Sequence, residues 1–491
     1  MSEKTFLWYD YESFGISPAF DRPSQFAAVR TDEELNVIGD PVLLYCKPAN
    51  DFLPSPDACL VTGILPQEAD EKGVLEVDFF KEIQKQVGVS GTCSVVYNSI
   101  QFDSELTRYG FYRNFIDPYE HEWKNGNSRW DLLDVMRVLH AFRPDAFVWP
   151  SIDGKVTMKL DQLTKANGIS HEGAHDALSD TMALIELARQ VKAKEPKLFN
   201  YMLGMRDKKK VSVLLEIGTS VLHVSRAYGV DRCCMAMVVP LCINPNNKNS
   251  VICYDLSNDP ELLFTLDEEE IRKRVFGKKE ELGEDVTRIP LVSIQINKVP
   301  ALIPTRMLDA NIEKRSGIDR DACEKHRLMI MGHAEFKEMV AKVTAVFGQP
   351  EFSSDDPDGM LYSGFISDYD RTIVKKVASS KPEELSALSG RFNDKRLPEL
   401  LFRYRAKNFP ETLTADELCL WEKYRIERIN KYQPNFLERI ESMLSTEGVG
   451  DRGIYVLSRL KDYYQRVTEK HLTKFRVADI EMHDSINGVI L

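Results

Sequence analysis

The sequence is short of the features that take a chain out of the ordinary cell interior. No apolar run approaches the length of a bilayer span, which excludes a helical membrane protein. The opening MSEKTFLWYDYESFG carries acids within its first dozen residues and no apolar segment, so no secretory leader is expected. The nine cysteines are scattered, only Cys233 and Cys234 being adjacent, and none has CxxC spacing. That argues against a disulfide framework and a thiolate zinc site, and a reducing cytoplasm is the expected compartment. Internal repeats and low-complexity tracts are also missing. So is any excess of positive charge: a net charge of −12 and a pI near 5.4 argue against non-specific coating of nucleic acid. They leave open a nucleic-acid enzyme with a locally positive groove, whose clustered carboxylates would hold divalent metal.

What is present describes a multi-domain globular protein. At 491 residues and 56.2 kDa the chain exceeds one ordinary core, so two or three domains are expected. Phe6 and Trp8, Ala27–Arg30 and Val42–Cys46 read as three strands in a meander. A helix around Asp78–Gln86 and a short strand at Cys93–Tyr97 follow. Leu132, Val135, Met136, Leu139 and Phe142 recur at helical spacing, as do Leu178, Met182, Ile185 and Ala188. From about Val211 to Val299 short β-branched runs alternate with Asn, Pro and Gly turns: Met235–Pro240, Ser250–Tyr254 and Val292–Ile296. The stretch QPEFSSDDPDGM, Gln349 to Met360, reads as a linker. Beyond it, Glu399–Ala406, Ala415–Lys431 and Asn435–Leu444 have helical periodicity.

Three short motifs carry chemistry. Asp10 and Glu12 stand two apart at the end of the first strand, so both carboxylates face the same side and can approach one metal ion. Taken alone the pair reads as a solvated acidic edge. Asp103, in VVYNSIQFDSELTR, follows a strand and opens a helix, where capping is the simpler role. His175 and Asp180, in GAHDALSD, lie at the mouth of a further helix, where Asp176 or His175 is an equally good cap. Together, strand Asp-x-Glu, then Asp after a strand, then His-x4-Asp opening a helix resembles the histidine branch of the DEDD exonuclease superfamily. The tyrosine branch is excluded, because position 176 is Asp.

The resemblance extends to the bacterial exonuclease I family through YDYESFG, DRPSQFAAVRTD, YCKPAND, VTGILPQEA, FYRNFIDPY, NSRWDLLDVMR, LTKANGI, AHDALSD and the late YRAKNFPETL. It implies an α/β fold in three parts: an RNase H-like exonuclease domain over 1–195, an SH3-like β-rich domain over 196–349 and an α-helical C-terminal domain over 350–491. It also implies a bacterial, cytoplasmic, monomeric 3′→5′ exonuclease that hydrolyses single-stranded DNA to 5′-mononucleotides and serves DNA repair, recombination and mismatch repair. Two Mg²⁺ ions are implied, with Mn²⁺ able to substitute: Asp10 bridging both, Glu12 and Asp180 on the nucleophile side, Asp103 acting largely through water. His175 is then the general base, suited to the task by an ordinary imidazole pKa of ~6.5.

The same resemblance places Glu12, Thr62, Gly63, Ile64, Arg108, Tyr119, Trp123, Arg137 and Lys159 against the DNA. The aromatics would stack on bases and the basic groups pair with phosphates, although core packing is nearly as good a reading of Tyr119 and Trp123. It also implies contact with the acidic C-terminal tail of single-stranded-DNA-binding protein, through Arg143, Arg315 and Tyr201. Ser13 stands where the family more often has Thr, Lys159 where it usually has Arg, and the segment after about Leu472 has no counterpart. A ribonuclease of the same superfamily is the nearest rival, but short oligoribonucleases lack the long C-terminal extension. A catalytically dead binding module is a second alternative, against which the five intact acid and histidine positions speak.

Overall fold

The computed structural model describes residues 4–98, 102–171, 176–283, 286–348, 354–446 and 448–469. The first part contains β1 (Thr5–Ser13), β2 (Pro23–Thr31), β3 (Val42–Tyr45), α1 (Pro56–Thr62), α2 (Pro66–Lys72), α3 (Glu76–Val87), β4 (Thr92–Val96), α4 (Asp103–Arg113), β5 (Ser128–Asp131), α5 (Leu132–Phe142), β6 (Ser151–Ile152), β7 (Lys155–Val156), α6 (Leu160–Ala166) and α7 (Ala177–Lys194). Its sheet has the order β3-β2-β1-β4-β5. The meander β1–β3 is antiparallel, whereas β4 and β5 run parallel to β1.

Alternation along β1 decides where the acids go. Phe6 and Trp8 face a core shared with α5 and α7, while Leu7, Tyr9 and Tyr11 face α3 and α4. Asp10 and Glu12 continue the Phe6–Trp8 register, so they emerge on the side covered by α7. Gly110 lets α4 lie close against α3, since a Cβ there would sit 2.0 Å from the Phe80 ring.

The second part comprises α8 (Pro196–Gly204), α9 (Lys208–Leu214), β8 (Val221–Val224), β9 (Met235–Asn244), β10 (Asn247–Asp255), α10 (Glu261–Thr265), α11 (Glu268–Phe276), α12 (Lys279–Leu282), β11 (Leu291–Gln295), β12 (Ala301–Pro304), α13 (Ala310–Ser316), α14 (Arg320–Gly332) and α15 (Phe336–Gly348). An antiparallel sheet of order β11-β10-β9-β8-β12 lies at its centre. The expected strands are present, but helices account for much of this region, including everything regular after Met307. Its apolar core is continuous with that of the first part: Trp130 and Leu187 belong to the same cluster as Met237 and Val343.

The last part is helical, with α16 (Asp368–Ser379), α17 (Arg396–Asn408), α18 (Ala415–Tyr432), α19 (Phe436–Leu444) and α20 (Asp451–Glu469). The expectation of a linker at 349–360 needs correction. Residues 349–353 lie outside the described residues, but Asp356 and Asp358 are anchored in ion pairs rather than solvated. Arg22 reaches Asp358 at 2.6 Å, Arg428 reaches Asp356 at 3.0 Å and Asp358 at 3.3 Å, and Arg403 bonds both acids. Composition suggested a linker because it does not reveal that Arg22, from near the start of the chain, and Arg403 and Arg428, from the C-terminal helices, converge on these two acids. Among the described residues no helix is long and apolar enough to cross a membrane.

Candidate active site

The acids come together as follows. Asp10 and Glu12 leave the end of β1, and Asp180 descends from the first turns of α7. One carboxylate oxygen from each of the three lies within 4.8 Å of the others. The fold fixes that approach. Gln25, the cross-strand partner of Glu12, accepts a hydrogen bond from Ala177 N at 3.2 Å and so ties the start of α7 to the sheet. Asp176 caps the same helix by accepting from Ser179 N at 3.1 Å. Asp176 thus occupies the N-cap position.

Asp103 is the first residue of α4 and is buried. The residue preceding the helix is Phe102, so Asp103 is not its N-cap. Tyr11 bonds Thr107 at 2.9 Å, and Thr107 donates to the Asp103 carbonyl at 2.9 Å, which fixes this turn against β1. At the end of β4, Asn98 adopts a left-handed backbone (φ 61°) and donates its N–H to Asp131, which also caps α5 at Leu133 N. His175 lies outside the described residues.

Electrostatics mark the group as incomplete. Burial, then the charges of Asp103, Glu12 and Asp180, push the Asp10 carboxyl well above the usual carboxylate range. Burial, then Asp180, Asp103 and Asp176, push Glu12 up to about 8. The strongest neighbours of both acids are carboxylates; neither a guanidinium nor an ammonium is among them. Clustered hard oxygen donors with uncompensated charge are what a divalent cation requires.

Asp180 opens onto a cleft of about 830 Å³ between the first sheet's helices and the second part. Arg137 and Lys159 line it, together with Lys155 from the β6–β7 hairpin and Arg226 from the turn after β8. Arg137 also pairs with Asp134 at 2.5 Å. Lys155, Arg226 and His171 were not singled out from the sequence; His171 lies four residues before His175, and its role becomes visible only when α6 and α7 are side by side.

The remaining expected contacts fall elsewhere. Trp123 is exposed, with 63% of its surface open to solvent, so its ring is available for stacking. Tyr119 is half-buried, with the Arg108 guanidinium 5.3 Å from its ring centre. Arg108 itself is buried and bonded to Glu122, Glu105 and the Tyr362 hydroxyl. Thr62 ends α1 and Gly63 caps it in the left-handed conformation (φ 75°) that favours glycine. Ile64 packs with Phe14, two residues past Glu12, and with the C-terminal helices. Arg143 caps the C-terminal end of α5, and Arg315 reaches the same end, donating to the carbonyls of His140 and Ala141 at 2.7 and 2.9 Å. Tyr201 donates to Leu302 O at 2.8 Å.

Comparison with known proteins gives this arrangement its context. An exonuclease family model matches residues 7–188, an Exonuclease I SH3-like domain model residues 206–349 and an Exonuclease I C-terminal domain model residues 355–467. Exodeoxyribonuclease I of Haemophilus influenzae is 41% identical over 465 residues, covering 94% of this chain and 98% of that protein. The crystal structure of Escherichia coli Exonuclease I in complex with a dA16 oligonucleotide superposes with a TM-score of 0.90 at 41% identity, covering 95% of this chain and all of that one. A crystal structure of SSB/Exonuclease I with an inhibitor gives a TM-score of 0.88 at 40% identity, with 95% of this chain and all of that one covered.

Proposed function

The chain belongs to the exonuclease I family and is a hydrolase, and on that premise we propose that it removes 5′-mononucleotides from the 3′ end of single-stranded DNA. The observation that carries the reading is the convergence of Asp10, Glu12 and Asp180 beside a cleft lined by Arg137, Lys155, Lys159 and Arg226. Asp10, Glu12, Asp180 and the nearby Asp103 would hold two divalent cations, with Mg²⁺ fitting the oxygen-only donor set. Such cations supply the charge that activates water and steadies the leaving 3′-oxygen.

The side chains divide the remaining work. His175 takes the proton from the attacking water. Arg137 and Lys159 bind phosphates and set the strand's path toward the acids, as charge-assisted contacts do. Trp123 stacks on an unpaired base, and Arg108 serves the strand by holding the Tyr119 ring in place. Stacking of this kind needs bases free of a partner strand. Thr62, Gly63 and Ile64 close around the terminal nucleotide. Arg143 and Arg315 offer their positive charge to the acidic tail of single-stranded-DNA-binding protein, and Tyr201 is assigned to the same contact by the family resemblance. Domain boundaries near 195 and 350 follow from the same reading.

The test is a duplex with a labelled 3′ single-stranded overhang. Mg²⁺ should support stepwise shortening of the overhang that stalls near the junction, and EDTA should stop it. Digestion that passes the junction at an undiminished rate would contradict the single-strand assignment. Equal rates on matched RNA and DNA overhangs would favour a ribonuclease.

A further inference from the structure

His171 has no part in the chemistry assigned above, yet it touches one of the acids. Its Nε2 donates to Asp180 Oδ1, and its Nδ1 shares a hydrogen bond with Thr164 Oγ1 at 3.0 Å. The side chain is 4% exposed. Thr164 is fully buried on α6, and its hydroxyl lies within hydrogen-bond distance of both His171 Nδ1 and, at 2.7 Å, Leu160 O. A rigid path therefore runs from the α6 backbone through a hydroxyl and an imidazole to the carboxylate of Asp180. Neither ring nitrogen is left to solvent, so the imidazole cannot turn without breaking a bond at both ends. Asp180 is meanwhile one of the three acids whose oxygens converge within 4.8 Å.

We infer that His171 is a positioning residue for cation binding: clamped by Thr164, it sets the direction in which Asp180 presents its carboxylate. The inference rests on the proposal that Asp10, Glu12 and Asp180 hold the metal. Its physical basis is general. A ligating carboxylate has several usable lone-pair directions and a free torsion, and a second hydrogen bond removes that freedom before the cation arrives.

The experiment measures Mn²⁺ binding to the full-length protein by electron paramagnetic resonance, without DNA. His171→Ala should weaken Mn²⁺ binding about 10–100-fold, the usual effect of removing a group that orients a metal ligand. The Mg²⁺ concentration for half-maximal hydrolysis should rise in parallel, and turnover should recover at saturating Mg²⁺. Single-strand affinity in EDTA should not change. His171→Gln, which keeps a donor near the Nε2 position, should regain most of the metal affinity. A residue that merely held the loop would lower the melting temperature and turnover without moving the metal half-saturation point.

Unchanged Mn²⁺ affinity in His171→Ala overturns the inference. Should that variant fail to fold, Thr164→Val decides: it should bind Mn²⁺ more weakly than the wild type and more tightly than Asp10→Asn, and wild-type affinity in it overturns the inference. Asp10→Asn separates the two layers of the argument. If Asp10→Asn binds Mn²⁺ normally, the metal site itself is misassigned; if it loses binding while the His171 variants do not, only the positioning role fails.

Discussion

Two of the largely buried groups of acids among the described residues behave in opposite ways. At the junction with the C-terminal helices, Asp51, Glu76, Asp356 and Asp358 lie among Arg22, Arg113, Arg403, Lys407 and Arg428. Burial alone would raise Glu76, but Lys407, Arg113 and Arg22 outweigh it and hold the carboxyl at about 2. Asp358 is likewise held well below the usual range, Lys407, Arg428, Arg22 and Arg403 overcoming its burial. Beside the cleft, Asp10 and Glu12 are pushed the other way, because burial is there joined by negative neighbours. Burial is common to both groups; the sign of the neighbours differs. Acids whose cations are built into the fold form a joint, whereas acids left without them are the group proposed above to take cations from outside.

That contrast can be broken at either end. Asp10→Ala should lower hydrolysis by roughly 10³-fold or more, the several kcal/mol that bound-cation charge stabilisation supplies, while single-strand binding in EDTA persists; steady-state turnover and a filter-binding assay report the two. His175→Ala should lower turnover about 10²–10⁴-fold and abolish the acidic limb of the pH–rate profile, read from initial rates across pH.

At the joint, Asp358→Ala should leave Arg22, Arg403 and Arg428 short of their acid and cost about 3–5 kcal/mol of stability, measured by urea unfolding in EDTA. The joint also carries a pH signature. Glu76 has a folded pKa below its unfolded one, so its stabilisation is fully present above about 4.5 and is lost as pH falls toward about 2. The wild type should therefore lose stability across that window, and Glu76→Gln should lose less. The smallest effects belong to the strand contacts. Trp123→Ala should weaken single-strand binding by about 1–3 kcal/mol. Arg137→Ala should reduce the slope of log affinity against log salt by about 0.7, the value for one phosphate contact on a single strand; fluorescence anisotropy at several salt concentrations measures both.

The sequence made the candidate site more legible than the joint. Asp10 and Glu12 were readable because a period of two on β1 places both on the face of Phe6 and Trp8, and Asp180 because it opens a periodic helix. The three main strands of the second sheet were equally readable from their β-branched runs. What escaped was determined by long-range contact. Asp356 and Asp358 look like linker residues until Arg22, Arg403 and Arg428 are seen around them. Gln25 and His171 have no local signal, since each matters only through the turn of α7 that it touches. Arg108 reads as a free cation in sequence, and only the fold shows it satisfied by Glu122 and Glu105. Helices after Met307 escaped because the β-branched runs upstream dominated the reading of that region.

The most direct test of the contrast is the proton balance of cation binding. Mg²⁺ would be titrated into metal-free protein at pH 7 by calorimetry, in two buffers of different ionisation enthalpy. With Glu12 near 8, its carboxyl is largely protonated at pH 7 and the cation must displace that proton, while burial and acidic neighbours push Asp10 in the same direction. Proton release on binding is therefore predicted, with the saturable heat lost in Asp10→Asn and retained in Glu76→Gln. Heat that is independent of the buffer, or binding that survives in Asp10→Asn, would contradict the account.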